Sequence, residues 1–226
     1  MTVLLFGATG MIGHGALNAA LADRRVARVL SIGRRPTGRT HPALTEIVRS
    51  DVSDLDGLDE PLAEVDACLF CLGVSSAGMD EAAYRRITYD LTLSVAHRLA
   101  ERTPTMRFVY VSGAGSDVNG RAMWARVKGD TEAALLALPF REVYNARPGF
   151  IQPVGGAVSR TALYRALYAA MSPLTPLLRR LAPNAIIDSD ELGRALVEAG
   201  LGGGPQVLLE VSDLLRLAHR AMPHAV

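Results

Sequence analysis

Short apolar runs and longer stretches with helical spacing alternate along most of the chain. The apolar runs are rich in branched and aromatic residues, as buried strands are. In the intervening stretches, apolar residues recur every three or four positions, as they do in helices. Strands that alternate with helices predict an α/β fold, a doubly wound parallel sheet of the Rossmann type. The predicted strands, from first to sixth, are Thr2–Phe6, Ala27–Ile32, Thr45–Arg49, Val65–Leu72, Met106–Ser112 and Arg141–Arg147.

The longest helical stretch runs from Met79 to Arg102, and a second one runs from Gly120 to Leu138. A helix buries the residues that recur along one of its faces. The residues that predict such a buried stripe in the longer stretch are Ala83, Ile87, Leu91, Val95 and Leu99.

Prolines divide the chain after residue 150 into short segments such as Thr161–Met171. We expect a small helical lobe on the substrate side over residues 150–187, and an amphipathic segment on a membrane surface is the alternative. Beyond it, Asp188–Leu201 is a predicted helix, and Gln206–Glu210 is a predicted seventh strand that a closing helix follows. Residues 1–226 are therefore predicted to form one Rossmann domain with the strand order 3-2-1-4-5-6-7.

The first predicted strand ends in a glycine-rich turn that leads directly into a helix. Strand, glycine turn and helix in this order are the context that a dinucleotide-binding motif requires. Gly7 would allow a sharp turn, Gly10 would leave the backbone open to a pyrophosphate, and Gly13 would let the helix lie close to the sheet. The helix N-terminus would offer N–H groups to the phosphates. The residues predicted to contact a cofactor here are Gly7, Thr9, Gly10, Met11, Ile12 and Gly13.

The second predicted strand runs into Gly33, Arg34 and Arg35. In a Rossmann fold this point meets the adenosine ribose, where an acidic residue about 20 residues past the glycine turn favours NAD. A guanidinium instead suits a 2′-phosphate. We therefore expect the cofactor to be NADP, with NAD as the less favoured choice. A solvated basic turn is the alternative interpretation.

The exits of the third and fourth strands should also face a cofactor. Asp51 could accept a hydrogen bond from the adenine amino group, while Val52 could pack on the ring. A loop aspartate that caps a turn is the alternative. Cys71 and Leu72 precede Gly73, whose missing side chain would let the backbone pass close to the cofactor.

Cys68 and Cys71 form a C-x-x-C pair, which in another setting would indicate a redox or metal site. On a strand, residues three positions apart face opposite sides of the sheet. We therefore expect two separate structural thiols and no metal site.

The overall composition reduces the classes of binding partner that the protein could have. At 49% hydrophobic residues the chain can form a substantial core, and its formal net charge of +1 leaves no basic excess for binding nucleic acid. No apolar run approaches the roughly 20 residues that cross a bilayer, and no signal-like segment is present. We expect a cytoplasmic protein without membrane association that acts on an unidentified small molecule. Whether it binds a partner protein or forms a homodimer stays open.

A series of short motifs runs through nearly the whole chain: Gly7–Gly13, Gly33–Arg35, Asp51–Val52, Tyr110–Ser112, Val127–Gly129, Arg147–Gly149 and Asp190–Gly193. Together they resemble the atypical short-chain dehydrogenases/reductases of the extended, epimerase/dehydratase-like kind. Within that superfamily the chain is similar to a small NAD(P)-binding subgroup, the Tat-interactive metastasis-suppressor-like proteins. The resemblance implies a Rossmann fold, an NAD(P) cofactor, and cofactor contacts from Arg147, Pro148 and Gly149.

The resemblance also implies a catalytic serine and a Tyr-x-x-x-Lys pair. In the family the tyrosine is the general acid/base, the lysine lowers the tyrosine's pKa and holds the nicotinamide ribose, and the serine orients the substrate oxygen. Ser112 and Lys128 match this pattern, but Trp124 stands at the tyrosine position. An indole is a donor only and cannot exchange a proton as a phenol does. The other groups that could supply a proton are Tyr110, Asp117, Asn119 and Arg121.

Two hypotheses about function follow from this departure. The first is an NADP(H)-dependent oxidoreductase or epimerase-like enzyme with an altered acid/base, in which Ser112 holds the substrate carbonyl and Lys128 holds the ribose. The second is a non-catalytic NADP(H) sensor whose bound state is recognised by a protein partner. Ser112 favours the enzyme and Trp124 favours the sensor. A scaffold that binds no nucleotide is the least favoured, because Lys128 and both arginines of the second strand's exit are present.

Overall fold

The computed structural model describes residues 1–154 and 186–221. Its strands are β1 (Thr2–Phe6), β2 (Arg28–Gly33), β3 (Leu44–Val48), β4 (Ala67–Phe70), β5 (Arg107–Val111), β6 (Glu142–Ala146), β7 (Phe150–Gln152), β8 (Ile186–Asp188) and β9 (Leu208–Leu209). Seven of them form one parallel sheet in the order β3-β2-β1-β4-β5-β6-β9. The predicted strand order is therefore confirmed, and the predicted seventh strand is β9.

The helices of the described residues alternate with these strands. They are α1 (Met11–Ala22), α2 (Asp59–Ala63), α3 (Glu81–Arg85), α4 (Leu91–Arg102), α5 (Met123–Leu136), α6 (Ser189–Gly202) and α7 (Val211–Arg220). A π-helical segment, Arg86–Asp90, joins α3 to α4.

Helices cover both faces of the sheet, and each strand therefore contributes to two apolar layers. On β1, Val3 and Leu5 pack in the layer under α1, α6 and α7, whereas Leu4 and Phe6 pack in the layer under α2 and α4. Because both faces are buried, the strands appear in the sequence as continuous apolar runs rather than as alternating patterns. This explains why the short apolar runs of the sequence located the strands well.

The two cysteines lie in different layers, as the strand geometry predicts. Cys68 is buried with the α2 and α4 layer, and Cys71 packs against the α1 layer. Both are free thiols. Burial raises the pKa of Cys68 well above its usual value and raises the pKa of Cys71 to about 12, so both stay protonated.

The predicted buried stripe of the longest helix is wrong at its first turns. Ile87 is 39% exposed, and Tyr84 and Thr88 are buried instead, whereas Val95 and Leu99 are buried as expected. The π-helical segment accounts for the change, because its i→i+5 hydrogen bonds add a residue to the turn and rotate the preceding residues. Apolar spacing alone does not reveal such an insertion.

The helices α1 and α6 cross with their backbones nearly touching. A side chain carbon added to Gly15 would lie 2.1 Å from the backbone oxygen of Ser189, and one added to Gly193 would lie 2.3 Å from Gly15. Asp188 begins α6 with a capping box. The Asp188 side chain accepts a hydrogen bond from the backbone N–H of Glu191, and the Glu191 side chain accepts one from the backbone N–H of Asp188. The crossing therefore depends on two glycines and a fixed helix start.

A second, two-stranded parallel sheet pairs β7 with β8. The sequence did not predict it, because each strand has three residues. The predicted lobe of residues 150–187, including the helix Thr161–Met171 and its membrane-surface alternative, falls for the most part outside the described residues. Within the described ranges, no helix is both long and apolar enough to span a membrane.

The helix crossing generates a stability prediction. We expect Gly193→Ala to lower the free energy of unfolding by about 1–3 kcal/mol or more, because a methyl group there must separate two backbones. Urea unfolding without cofactor measures this, with Gly73→Ala as the matched control, since an added carbon at Gly73 meets no atom within 4 Å. Equal losses in the two variants would contradict the close crossing.

Candidate cofactor and active site

The glycine turn after β1 is held by close backbone contacts. Gly7 has a φ of +83°, and a side chain carbon there would lie 2.7 Å from the backbone oxygen of Cys71. A side chain carbon on Gly13 would lie 2.1 Å from the backbone oxygen of Gly7. Both glycines therefore have the structural roles that the sequence predicts, a sharp turn and a tightly packed helix.

The N-terminus of α1 is open to an anionic ligand. Gly10 is the N-cap residue, no side chain caps the helix, and the first turn has no acidic residue. Thr9 is exposed, and Met11 and Ile12 are partly exposed beside it. The N–H groups and the positive end of the helix dipole suit a phosphate here.

The exit of β2 presents two exposed guanidinium groups. Arg34 and Arg35 are both exposed, and neither forms an ion pair or a hydrogen bond with the residues that the structure describes. The backbone oxygen of Gly33 accepts from the backbone N–H of Arg49 at 3.0 Å, which fixes this exit beside the end of β3. Both side chains are therefore available to a phosphate at the adenosine end.

The exit of β3 fits the alternative interpretation better. Asp51 Oδ1 accepts hydrogen bonds from the backbone N–H of Ser53 at 2.9 Å and from its hydroxyl at 2.7 Å. These bonds lower the pKa of Asp51 and close a turn. Val52 is 6% exposed and belongs to the α2 and α4 layer, so its side chain offers little open surface to a ring. Contacts of these two residues with adenine stay a prediction.

The exit of β4 leaves space above the sheet. Cys71 and Leu72 are partly exposed, and Gly73 is exposed with nothing within 4 Å of an added side chain carbon. The three residues lie next to the glycine turn through Gly7, at the point where the strand order reverses between β1 and β4. In open α/β sheets, ligands bind at such a point.

Ser112 directly follows β5 and is part of a hydroxyl chain that the sequence did not predict. Its Oγ lies 2.9 Å from Oγ of Ser116, and the Ser116 hydroxyl donates to the backbone oxygen of Gly113 at 2.8 Å. Because Ser116 has only one hydrogen to donate, Ser112 donates to Ser116. The sequence signal for this pair is a second serine just past the glycine turn that follows Ser112.

Trp124 and Lys128 both lie over the loop that follows Ser112. A side chain carbon on Gly113 would be 3.8 Å from Cζ3 of Trp124 and 3.9 Å from Cδ of Lys128, and one on Gly115 would be 3.7 Å from Cη2 of Trp124. The two side chains share a face of α5, as their spacing of four predicts. The indole therefore lies at the loop rather than between α5 and α4.

The amine of Lys128 is held at the peptide bond that leads into Ser112. Its Nζ donates to the backbone oxygen of Val111 at 3.3 Å and lies 5.6 Å from the ring centroid of Tyr110. Burial lowers the pKa of Lys128 to about 8, and the charge of Glu132 opposes this shift. Lysine amines with such a pKa exchange protons near neutral pH.

The other predicted proton donors are poorly suited. Tyr110 is 1% exposed, and its pKa is raised first by burial and then by the nearby Tyr84. Asp117 accepts from the backbone N–H of Asn119 at 3.0 Å in an exposed turn. Arg121 is exposed in the same loop.

Arg147 has a structural role that the sequence did not predict. Its guanidinium pairs with both carboxylate oxygens of Glu132, at 3.0 and 2.5 Å, and with Glu210 at 3.2 Å. Glu132 is only 3% exposed. These ion pairs explain the presence of Arg147 without any contact between its guanidinium and a cofactor. Such a contact stays a prediction.

The neighbours of Arg147 lie closer to Ser112. The backbone oxygen of Pro148 accepts from the N–H of Ala114 at 3.0 Å, and Gly149 follows it, partly exposed. The structure thus brings Ser112, Trp124, Lys128 and Pro148 together at the carboxyl edge of the sheet.

Known proteins resemble this chain in sequence and in fold. The NAD(P)H-binding family model matches residues 7–137. The protein "fmp52, mitochondrial" of Emericella nidulans is 31% identical in an alignment of length 207 that covers 88% of this chain and 87% of that protein. Among solved structures, a short-chain dehydrogenase/reductase from Saccharomyces cerevisiae has a TM-score of 0.65 at 14% identity and covers 98% of this chain and 99% of that one. The PhqB reductase domain from Penicillium fellutanum has a TM-score of 0.65 at 19% identity, over 88% of this chain and 64% of that one.

The expectation of a cytoplasmic protein is contradicted by these relatives. Several at about 30% identity, including those of Emericella nidulans and Aspergillus oryzae, are named mitochondrial proteins. Charge and hydropathy do not distinguish one aqueous compartment from another, so the composition could not decide this point. The family, by contrast, is shown both by the match over residues 7–137 and by the full-length relatives. The chain belongs to the NAD(P)H-binding family, is related to the Fmp52 proteins, and has the Rossmann fold that short-chain dehydrogenases/reductases share.

Proposed function

We propose that the protein is an NADP(H)-dependent reductase of small carbonyl compounds, with epimerase-like chemistry as the neighbouring possibility. The observation that carries this proposal is the position of Lys128. Its amine is held at the peptide before Ser112 by one hydrogen bond of 3.3 Å, so the two groups can act on the same substrate oxygen.

The chain's own residues fit the cofactor. The uncapped N-terminus of α1 would hold the pyrophosphate, Gly73 leaves room above β4, and Arg34 and Arg35 would hold a 2′-phosphate. Lys128 would donate a hydrogen bond to the nicotinamide ribose. When bound, the reduced cofactor supplies a hydride. The protein's part is to orient the carbonyl group and to provide a proton.

One observation favours a sensor as the second candidate. Trp124 lies over Gly113 and Gly115, where a family member would present its phenol. An indole at this position can sense a bound nicotinamide by contact, but it cannot donate a transferable proton. In this case the protein would bind NADPH without turning over carbonyl substrates, and a partner would recognise the bound state.

Arg34 and Arg35 at the exit of β2, which pair with none of the described residues, predict cofactor preference. We expect NADPH to bind more tightly than NADH by about 2 kcal/mol, on the scale of charge-assisted hydrogen bonds. Arg34→Ala should remove most of this difference, and calorimetry with both cofactors measures it. Arg24→Ala is the matched control, because it removes an equally exposed charge just past α1, before the start of β2. Equal affinities of the unmodified protein for the two cofactors would refute the NADP assignment.

The position of Trp124 predicts a spectroscopic response. It is the one tryptophan of the chain, and reduced nicotinamide absorbs where indole emits. We expect NADPH to quench the emission saturably, with nicotinamide fluorescence appearing in step, and NADP to quench less. Because energy transfer acts beyond contact, acrylamide access to Trp124 should also fall when NADP binds. Unchanged access at saturating NADP would show that the indole does not line the site.

The missing phenol predicts a gain of activity. Trp124→Tyr should place a general acid/base one helical turn before Lys128, and such groups contribute about 10²–10⁴-fold. We expect the variant to oxidise NADPH with generic ketones or aldehydes faster than the parent, and Trp124→Phe serves as the control that lacks the hydroxyl. A parent faster than Trp124→Tyr would show that the indole belongs to a different working mechanism and would weaken the sensor hypothesis.

A further inference from the structure

Lys128 is the one lysine among the 24 lysine and arginine residues of the chain. The other residues of this set are all arginines, which stay protonated at any pH that a protein meets. Lysine differs from arginine mainly in that its amine can lose a proton when it is buried. The one position that holds a lysine is therefore the position beside Ser112, where a proton could be exchanged.

Among the described residues, the amine of Lys128 has one hydrogen-bond acceptor. Its Nζ donates to the backbone oxygen of Val111, whereas an ammonium group has three donors. No carboxylate of the described residues forms an ion pair with it. Glu132, one helical turn away on α5, is held instead by Arg147 from the end of β6 through two hydrogen bonds of 3.0 and 2.5 Å. The Glu132 carboxylate is thus paired with Arg147 and does not form an ion pair with the amine of Lys128.

Three other polar side chains of the described residues lie near the amine, and none of them is suited to give a proton. Ser112 donates to Ser116, and Ser116 donates to the backbone oxygen of Gly113. Trp124 does not ionise, and Tyr110 is buried beneath the amine. Because its one hydrogen is donated to Ser116, the Ser112 hydroxyl can accept a hydrogen bond from a substrate alcohol but cannot provide the proton of a reduction.

We propose that Lys128 is itself the general acid/base of the reaction, in place of the missing phenol. This inference rests on the proposed reductase function. The carbonyl carbon accepts the hydride that the reduced cofactor supplies, and the carbonyl oxygen takes a proton from the Nζ ammonium group. The substrate leaves as an alcohol, the cofactor leaves oxidised, and the neutral amine regains a proton from water.

The direction of the pH dependence follows from the protonation state that each reaction needs. Reduction requires the ammonium form, so its rate should fall as the pH rises through about 8, where burial places the pKa of Lys128. Oxidation of the alcohol requires the neutral amine, so its rate should rise over the same range. Within the described part of the chain, the titratable groups that face the amine are Glu132 on α5, which is paired with Arg147, and Tyr110 on β5, which burial keeps protonated.

The first experiment observes the amine directly and needs no turnover. Protein grown with lysine labelled at its ε-carbon gives one side-chain resonance, because Lys128 is the one lysine of the chain. Its chemical shift is followed against pH with and without bound NADPH. We expect a midpoint near 8, and a midpoint at the ordinary lysine value of about 10.4 would overturn the proposal.

The second experiment separates proton transfer from charge. Lys128→Arg keeps a cation beside the ribose but cannot release a proton, whereas Lys128→Met removes both functions. We expect the arginine variant to bind NADPH within a few-fold of the parent and to lose about 10²–10⁴-fold in kcat, the range of general acid/base catalysis. The methionine variant should lose affinity as well. An arginine variant that keeps its kcat would overturn the proposal.

The third experiment covers the case in which neither variant folds. Lys128→Cys treated with bromoethylamine carries γ-thialysine, an amine with a lower intrinsic pKa than lysine. Cys68 and Cys71 should react slowly, because burial raises the pKa of both thiols, and mass spectrometry checks this. We expect the pH limb of kcat to move to lower pH. If the thialysine protein turns over normally and its pH profile of kcat does not move, the acid/base role of Lys128 is refuted alone. If the parent protein binds NADPH but reduces no carbonyl compound, both the reductase function and the acid/base role are refuted.

Discussion

The contact between α1 and the exit of β1 is the constraint on which the rest of the site depends. Gly13 lies so close to the backbone oxygen of Gly7 that a side chain carbon would approach it to 2.1 Å, and Gly7 in turn lies against the backbone oxygen of Cys71. Two strand exits and one helix start are thereby held within van der Waals contact. The helix cannot move away from the sheet without opening this contact, so the N–H groups of its first turn stay directed at one point above β1 and β4.

A second constraint holds α5, the helix that carries Trp124 and Lys128. Arg147, from the end of β6, joins the buried Glu132 of α5 to Glu210 at the start of α7. Breaking a buried pair of this kind is costly because it leaves an uncompensated charge. Lys128 lies one turn before Glu132 on the same helix, so the ion pairs fix the rotation of α5 that directs the amine at Val111. The glycine contacts fix the start of α1 on the sheet, and this network fixes α5.

Much of the fold could be predicted from the sequence because both faces of the sheet are covered. Strands β1, β4 and β5 are almost wholly apolar, and stretches with helical spacing of apolar residues separate them. The order of the elements and the strand order of the sheet could therefore be predicted. The π-helical segment at Arg86–Asp90 and the three-residue strands β7 and β8 could not be predicted. The first depends on which hydrogen bonds the backbone closes, and the second on a pairing between residues far apart in the chain.

The candidate site shows the same division. Gly7, Gly13, Trp124 and Lys128 lie where their motifs indicate, because each motif is set by local backbone geometry. The roles of Arg147 and Ser116 depend on partners from other elements, and no spacing within the chain points to Glu132 or to the hydroxyl chain.

The scarcity of lysine has a consequence for the chemistry of the whole surface. Reagents and metabolites that acylate or alkylate ε-amines, such as thioesters and reactive aldehydes, usually modify many exposed lysines with little effect. In this protein they find one such amine, and it lies partly buried beside Ser112. Its lowered pKa makes a larger share of it nucleophilic at neutral pH than of an ordinary lysine. Apart from the N-terminal amine, any acylation of this chain at an amine therefore falls on the centre of its candidate site.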